Sequence, residues 1–245
     1  MNQSVRIAKA IAGAGVTSRR KAETYVTAGR VQINGQTVTD LGHKVDLEND
    51  IVSVDGAALT LQVPAMTLAL HKPTGYISAM QAQDDRLTLA DLLPEKYQHL
   101  FHIGRLDYDS AGLLLLTNDG KLAQLVAHPK FELTKIYYCQ VAPAPNKTQV
   151  QRLLKGVKLF DGMSKFDQLR ILQASQNEAL LEVALHSGKN RIIRRTLAAQ
   201  KIKVRELTRM QIGPIKLGDL KVGKWRVLSQ IEIDSLKKSA DGSRR

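Results

Sequence analysis

The spacing of apolar residues predicts a small module at the start of the chain. Apolar positions between residues 5 and 12 recur at helical spacing until Gly13 breaks the pattern. A second helix is expected after Thr17 or Ser18, either of which can cap it, and it should end at Gly29. The stretch "RVQINGQTV" then alternates around Asn34-Gly35, a typical hairpin turn, and "HKVDLENDIVSVDG" predicts a further strand pair. Together they indicate a module of two helices and short hairpins.

The rest of the chain is dominated by apolar runs of strand length. Strands are predicted at "TLALHK", "GLLLLT", "TKIYYCQVA", "QLRILQAS" and "EALLEVALHS", and again after residue 203. Helices are predicted at "TLADLLP", "DGKLAQLVAHP", "NKTQVQRLLKG" and "NRIIRRTLAAQ", with Pro94 and Pro129 as stops for the first two. Few helices among many strands favour an α+β fold with a mixed, mainly antiparallel sheet.

These patterns divide the chain into four segments. Residues 1–62 form the small module, and 63–66 form a linker centred on Pro64. Residues 67–234 form the larger domain. The basic stretch 235–245 is expected to be a disordered tail.

Composition favours a cytoplasmic protein with a polyanionic partner. The 245 residues are 43% hydrophobic, enough for a substantial core, and the formal net charge of +13 gives a pI near 9.9. Cys139 is the single cysteine, so no internal disulfide can form. No signal peptide is expected at the N-terminus, and no apolar run approaches the roughly 20 residues of a membrane helix. We therefore expect no membrane association.

The positive charge is concentrated in two regions. Residues 6–30 carry six basic side chains against Glu23 alone. Residues 186–226 carry twelve basic side chains against Glu206 and Asp219: Lys189, Arg191, Arg194, Arg195, Lys201, Lys203, Arg205, Arg209, Lys216, Lys221, Lys224 and Arg226. Either region alone could be a solvated face, but two of them suggest two contacts with one long polyanion such as nucleic acid.

Several kinds of chemistry are poorly supported. The six histidines show no close pairing and there is no Cys-x-x-Cys, so no metal site is expected. The G-x-S-x-G elbow of a serine hydrolase is absent, as are the Walker and G-x-G-x-x-G sequences, so no nucleotide cofactor is expected. The stretch "GKNRIIRR" fits either a phosphate-binding helix start or a merely basic helix.

The strongest candidate for catalysis is Asp107 in "GRLDYDSAGLLLLTNDG". Taken alone, it could be a turn aspartate or an ion-pair partner of Arg105. Its position just before a core-forming leucine run would also allow a partly desolvated, nucleophilic carboxylate. Asp109 and Asp119 are interpreted as ordinary turn or surface acids.

Four motifs, in this order, resemble those of bacterial ribosomal pseudouridine synthases of the RsuA/RluB type. They are "GRLDYDSAGLLLLTND", "KIYYCQV", "SGKNRIIRR" and "TRMQIGPIKLGDLKVGKWRVLS". The segment from Val5 to Val38 is similar to the S4-like RNA-binding module that usually precedes them. The resemblance spans residues 4 to 234. It implies an S4-like domain followed by a catalytic domain that isomerises uridine within RNA without cofactor or metal.

The resemblance also implies roles for single residues. Asp107 would be the nucleophile, Tyr137 would stack on the uracil, with Tyr138 facing the opposite side, and Arg194 would pair with Asp107. Arg105 would fill the space left by the extruded base or grip a flanking phosphate. The expected RNA contacts are Arg19, Arg20, Lys21 and Arg30 in the small module and Lys189, Asn190 and Arg191 in the larger domain.

Two positions depart from the family pattern, and alternatives to the function stay open. Ile192 stands where the family often has glutamine, and Ser110 stands where threonine is frequent. The wording of the motifs favours large-subunit (23S) over small-subunit (16S) ribosomal RNA. Naked RNA and an assembly intermediate stay open as the substrate, and a monomer is expected. The alternative from another class is a non-catalytic RNA-binding assembly factor.

Overall fold

The structure is a computed structural model that describes residues 4–61, 63–82, 84–128, 131 and 133–242. It divides into two compact units: the described part of Met1–Ala65 with Glu95–Leu100, and the described part of Met66–Pro94 with Phe101–Arg245. The division at residues 65 and 66 falls at the end of the predicted linker. We retain the predicted boundaries as a proposal for the functional domains.

The smaller unit packs two helices against short strands. Its helices are α1 (Ile7–Gly13) and α2 (Arg19–Thr27). Its strands are β1 (Ser4–Arg6), β2 (Val31–Ile33), β3 (Gln36–Thr37), β4 (Lys44–Asp46), β5 (Val52–Val54) and β6 (Ala57–Ala58). Ile7, Ile11 and Val26 are fully buried in its core. Ser18 caps α2 by accepting a hydrogen bond from the Lys21 N–H, as one of the two predicted caps.

The predicted hairpin at Asn34-Gly35 is confirmed, but the predicted pairing within residues 43–56 is wrong. Asn34 and Gly35 both have positive φ, as a tight β2–β3 turn requires. Strand β4 pairs with β1, whereas β5 pairs with β2 and β6. The Asn34 side chain explains the choice, since its amide oxygen accepts the Ile51 N–H at 2.9 Å and its Nδ2 donates to Asp50 at 2.9 Å. These bonds hold the start of β5 beside β2.

The larger unit is built on one extended sheet. Its strands are β7 (Thr67–Lys72), β8 (Phe101–Ile103), β9 (Ala111–Thr117), β10 (Lys135–Ala142), β11 (Val157–Leu159), β12 (Gly162–Ser164), β13 (Gln168–Ala174), β14 (Ala179–Leu185), β15 (Lys203–Ile212), β16 (Ile215–Lys216) and β17 (Trp225–Val227). Its helices are α3 (Gly120–Ala127), α4 (Lys147–Lys155), α5 (Ile192–Ala198) and α6 (Gln230–Gly242). Short 3-10 turns lie at Ala90–Leu92, where "TLADLLP" predicts a helix, and, in the smaller unit, at Glu95–Tyr97. Pro129, the predicted stop of α3, lies outside the described residues.

The sheet runs in the order β13-β14-β10-β15-β9-β7-β17, with β16 beside β15 and β8 beside β9. The β15–β9 pair is parallel and the other described pairs are antiparallel, which confirms the mixed, mainly antiparallel α+β fold. Residues 113–116 of the central β9 are fully buried. A strand covered on both faces needs apolar side chains at successive positions, and this explains the four consecutive leucines.

Gly112 sets how closely β9 approaches β15. A Cβ atom built on Gly112 would lie 2.3 Å from the backbone oxygen of Arg209, and its φ is +109°. No other residue type fits there without moving a strand. The close approach brings the start of β9, which follows the turn at Asp107, against Arg209.

The chain end is helical where a disordered tail is predicted. Helix α6 continues to Gly242, with Leu236 and Ala240 fully buried, so the expectation of disorder is wrong for residues 235–242. Residues 243–245 lie outside the described part. Ser229 and Glu232 form a reciprocal capping box, and the Arg226 guanidinium bonded to Glu232 lowers the pKa of that carboxyl to about 2. The basic composition of this segment suggested disorder, but Leu236 and Ala240 are apolar residues that pack into the core of the larger unit.

Candidate active site

Asp107 lies in the turn that joins β8 to β9, at the wall of a cavity. The cavity has a volume of about 370 Å³. The Asp107 side chain is 29% exposed, and the Ser110 N–H closes the turn by donating to the Asp107 carbonyl at 3.1 Å. The carboxylate is therefore accessible to a ligand while its backbone is held by the turn.

A buried lysine fixes this turn from below. Lys72, the last residue of β7, has no exposed surface. Its Nζ donates to the carbonyls of Pro73, Asp107 and Ser110, at 3.0, 3.1 and 2.9 Å. Burial lowers its pKa to about 8, although the negative charges of Asp107 and Asp109 act in the opposite direction. One ammonium group thus joins β7 to both ends of the turn at Asp107.

Two arginines from the α5 region reach the same turn. Arg191 donates two 2.8 Å hydrogen bonds to the Asp109 carboxylate, and its Nη1 lies 3.8 Å from the nearer Asp107 oxygen. Arg194 has its Nε 3.3 Å from Asp109 and donates from Nη2 to the Asp109 carbonyl at 2.7 Å. The hydrogen bonds from Arg191, with the charge of Arg194, lower the pKa of Asp109.

This arrangement corrects two interpretations drawn from the sequence. The expected Asp107–Arg194 pair is replaced by an Asp109–Arg194 pair, and the cation closer to Asp107 is Arg191. Asp109, interpreted as an ordinary turn acid, holds both arginines against the turn. Asp119 does serve as a turn acid, since it caps α3 by accepting from the N–H groups of Lys121 and Leu122. The sequence signal for Asp109 was its spacing of two residues from Asp107. This spacing lets one basic residue at the start of α5, Arg191, lie close to both carboxylates.

Strands β10 and β15 supply another wall of the cavity. Tyr137 and Lys135 lie two residues apart on β10, so both face the cavity, while Tyr138 faces the other side of the sheet. The Lys135 Nζ donates to the His186 carbonyl at 3.0 Å, and burial, with the nearby charge of Arg209, lowers its pKa to about 8. Arg209 is 4% exposed and donates from Nε to the Leu113 carbonyl at 2.7 Å. Its Nη2 has no hydrogen-bond partner among the described residues.

The predicted RNA contacts of the larger domain gather at this cavity. Arg105, Lys189, Asn190 and Arg191 all line it. A second cavity, of about 570 Å³, is lined by Asp109 and by five cations: Arg191, Arg194, Lys201, Lys203 and Arg205. Since Arg191 lines both cavities, a basic surface continues from the turn at Asp107 along the start of β15.

The predicted RNA contacts of the smaller unit differ in how strongly other side chains of the protein already bind them. Arg19, Arg20 and Lys21 form the first turn of α2 and are exposed, and Arg19 makes a 3.7 Å ion pair with Glu23. Arg30 is instead bound to Asp55 through two hydrogen bonds and lies over the Tyr25 ring at 4.0 Å. The start of α2 is therefore the more available cationic surface for RNA.

Sequence reasoning missed three cations of the site, of which Lys72 and Arg209 are buried and Lys135 is half-buried. Lys72, Lys135 and Arg209 each stand within or at the end of an apolar strand, where an unpaired charge is costly. That mismatch between residue type and context was the available signal. Within the described part of the chain, no group of three His, Cys, Asp or Glu residues could hold a metal ion, and no helix is long and apolar enough to cross a membrane.

Comparisons with known proteins identify the family of the chain. Residues 66–199 match a family model described as RNA pseudouridylate synthase, and residues 5–52 match one for the S4 domain. An RNA pseudouridine synthase of Aquifex aeolicus is 42% identical over 236 residues, which cover 96% of this chain and 94% of the relative.

Two further matches extend over nearly the whole chain. The ribosomal large subunit pseudouridine synthase B of Bacillus subtilis is 37% identical over 238 residues, which cover 96% of this chain and 97% of the relative. A solved structure, a crystal structure of pseudouridylate synthase, is 26% identical with a TM-score of 0.66 and covers 95% of this chain and 99% of its own.

Proposed function

The chain belongs to the RNA pseudouridylate synthase family and carries an N-terminal S4 domain, and we propose that it isomerises a uridine in ribosomal RNA of the large subunit. The observation that carries the proposal is the Asp107 carboxylate at a cavity walled by Tyr137 and rimmed by Arg105, Lys189 and Arg191. The Bacillus subtilis relative, which this chain matches over nearly its full length, is named for the large subunit. That relative supports the choice of substrate.

Isomerisation exchanges one bond of the nucleotide for another. The bond from the ribose C1′ to N1 of uracil breaks, and a bond from C1′ to C5 forms. The C5 hydrogen then leaves as a proton, while N1 gains one. Asp107 either attacks the base or assists cleavage of the glycosidic bond, and both routes require its ionised form. The Arg191 guanidinium, 3.8 Å away, stabilises that negative charge.

The base must leave its stack before this chemistry can start. The 370 Å³ cavity is within the usual range for small-ligand sites and can enclose an extruded nucleotide. Tyr137 would stack on the uracil and limit its movement during the exchange. Arg105, which precedes Asp107 by two residues, would occupy the vacated space or bind a flanking phosphate, and Lys189, Asn190 and Arg191 would contact neighbouring phosphates.

Arg194 acts through the turn in this proposal. It holds Asp109 and the Asp109 carbonyl, and thereby fixes the backbone two residues after the nucleophile. We further propose that the protein acts as a monomer in the cytoplasm, on naked ribosomal RNA or on an assembly intermediate.

The proposal is tested by carbodiimide-dependent primer extension on ribosomal RNA from cells with and without the protein. Pseudouridine keeps its carbodiimide adduct and stops the reverse transcriptase. We expect one large-subunit stop to disappear in the deletion strain and to return when the gene is restored. Loss of a small-subunit stop would transfer the substrate to the other ribosomal RNA. An unchanged stop pattern would favour the non-catalytic assembly factor.

RNA affinity is expected to depend on the start of α2. In Arg19→Glu/Arg20→Glu, two exposed cations become anions, which we expect to weaken RNA binding by about tenfold or more at physiological salt. Each lost phosphate contact should make the slope of log K against log salt shallower by about 0.7 to 0.9. Filter binding to a large-subunit transcript between 50 and 300 mM salt measures both quantities.

The matched control for this variant is Lys237→Glu/Lys238→Glu. It changes the net charge equally, on two exposed residues of α6. Equal weakening by both double variants would show that net charge, and not the S4 surface, governs the affinity.

A further inference from the structure

An aromatic side chain stands exposed at the tip of the β11–β12 hairpin. Phe160 and Asp161 form its two-residue turn, and Phe160 is 91% exposed, the largest value among the exposed large hydrophobic residues described. Two-residue turns favour Gly, Asn and Asp, so phenylalanine is not explained by turn chemistry. It is not explained by the core either, because its ring is almost entirely in water.

The hairpin tip is fixed to the wall of the catalytic cavity. The Asp161 carboxylate accepts hydrogen bonds from Nη1 and Nη2 of Arg195, at 2.8 and 3.1 Å, and its carbonyl accepts one from Lys189 Nζ at 2.9 Å. Arg195 also donates from Nε to the Asn190 carbonyl at 2.9 Å. Since Lys189 and Asn190 line the cavity, these bonds connect the hairpin tip that carries Phe160 to residues of the cavity wall.

The surroundings of the ring are cationic. The Arg195 guanidinium lies over Phe160 with its Cζ 4.9 Å from the ring centroid. Lys158 and Lys165 flank the turn on the two sides of the hairpin and are exposed. Asp161 is the acid at the tip, and the hydrogen bonds from Arg195 lower its pKa, so it is an ionised partner of that arginine. An exposed aromatic face among cations is the combination that binds unpaired bases in single-stranded nucleic acid.

We propose that Phe160 is a stacking platform for an unpaired RNA base that neighbours the target uridine. The proposal rests on the proposed function, since it needs an RNA strand entering the cavity. An apolar protein partner fits less well, because the side chains next to the ring are charged and would lose their hydration in a dry interface. RNA recognition commonly places splayed bases on aromatic rings in this way.

The platform would contribute to binding and not to the chemical step, because its contact is the same before and during the reaction. Loss of a base–aromatic stack weakens binding by roughly 5- to 150-fold, as judged from alanine substitutions in other proteins. We expect Phe160→Ala to raise the KM for RNA by about tenfold and to change kcat by less than about twofold. The salt dependence of binding should not change, since no phosphate contact is lost.

The test uses the full chain and a large-subunit ribosomal RNA transcript labelled with [5-³H]uridine. Isomerisation releases the tritium from C5, so kcat and KM can both be measured. Phe160→Trp retains a stacking face and should keep the wild-type KM, whereas Phe160→Leu retains only apolar bulk and should behave like Phe160→Ala. Ile231→Ala, which removes an 81% exposed apolar side chain from α6, is the matched control and should have no effect.

The outcomes separate this inference from the proposed function. Tritium release by the wild type, from the transcript or from assembly intermediates that carry the label, establishes the activity. Its absence from both kinds of substrate would overturn the function itself. If the wild type is active and Phe160→Ala keeps its KM within about twofold, the platform is wrong while the function stands. If Phe160→Leu keeps the wild-type KM and Phe160→Ala does not, the ring provides an apolar contact, and the stacking proposal is also wrong.

Discussion

Replacing Asp107 with asparagine is expected to abolish pseudouridine formation, with a rate loss of at least about 10⁴-fold. Asparagine has the same shape, but its amide is uncharged and cannot act as a carboxylate nucleophile. The backbone of the turn should survive, because Lys72 and Ser110 bind the Asp107 carbonyl and not its side chain. The loss of activity should therefore occur without a loss of folding.

The measurement is single-turnover tritium release from the labelled transcript, together with primer extension in cells that carry the variant. Asp119→Asn is the matched control, because asparagine caps a helix as well as aspartate does and Asp119 caps α3. It should retain wild-type rates. Activity of Asp107→Asn within tenfold of the wild type would remove Asp107 from the role of nucleophile. Asp109→Asn would then be the next variant to measure, since Asp109 holds both arginines of the site.

Short-range signals in the sequence were sufficient for much of the fold. Ser18 before an amphipathic run, Asn34-Gly35 between alternating residues, and Asn146 with Gln149 at the start of α4 each specify their own local structure. The four-leucine run also predicted a core-forming strand, which the structure shows as β9. In these cases the residues that decide the structure lie within a few positions of one another.

The remaining features depend on partners that are distant along the chain. Helix α6 forms where composition suggested disorder, because Leu236 and Ala240 are buried in one cluster with Leu133 and Ile212, which lie far earlier in the chain. Arg194 binds Asp109 across a separation of 85 residues, and one carboxylate among several near the turn could not be singled out from spacing alone. The β11–β12 hairpin was not predicted, since Phe160 occupies a turn position that usually takes a small polar residue.

Lys72→Met is expected to reduce the rate by about a hundredfold while the protein stays folded. Methionine fills the buried space but cannot donate to the carbonyls of Pro73, Asp107 and Ser110. Unpaired buried carbonyls destabilise, whereas removing a buried charge relieves its desolvation, so we expect a net loss of about 2 kcal/mol in the free energy of unfolding. The turn should relax, and a displacement of about 1 Å at a catalytic group can cost roughly a hundredfold in rate.

The pH dependence of the rate distinguishes this role of Lys72 from simple stabilisation. Because its pKa is lowered to about 8, the Lys72 ammonium loses a proton as pH rises through that value, well below the ordinary 10.5. A neutral amine has two hydrogens for three carbonyls, so the wild-type rate should fall above pH 8 as the turn loses one bond. The rate of Lys72→Met should be low at every pH and should show no fall above pH 8, because methionine has no titratable proton.

Lys135 provides the competing explanation, since its pKa is also lowered to about 8 and it lines the same cavity. Lys135→Met should therefore retain the alkaline fall if the fall reports Lys72. Rates measured from pH 6 to 10 on all three proteins, with thermal unfolding at each pH, separate the two lysines. If the fall in rate persists in Lys72→Met and vanishes in Lys135→Met, the alkaline titration belongs to Lys135 in the cavity wall. Lys72 would then stabilise the turn without controlling the reacting carboxylate.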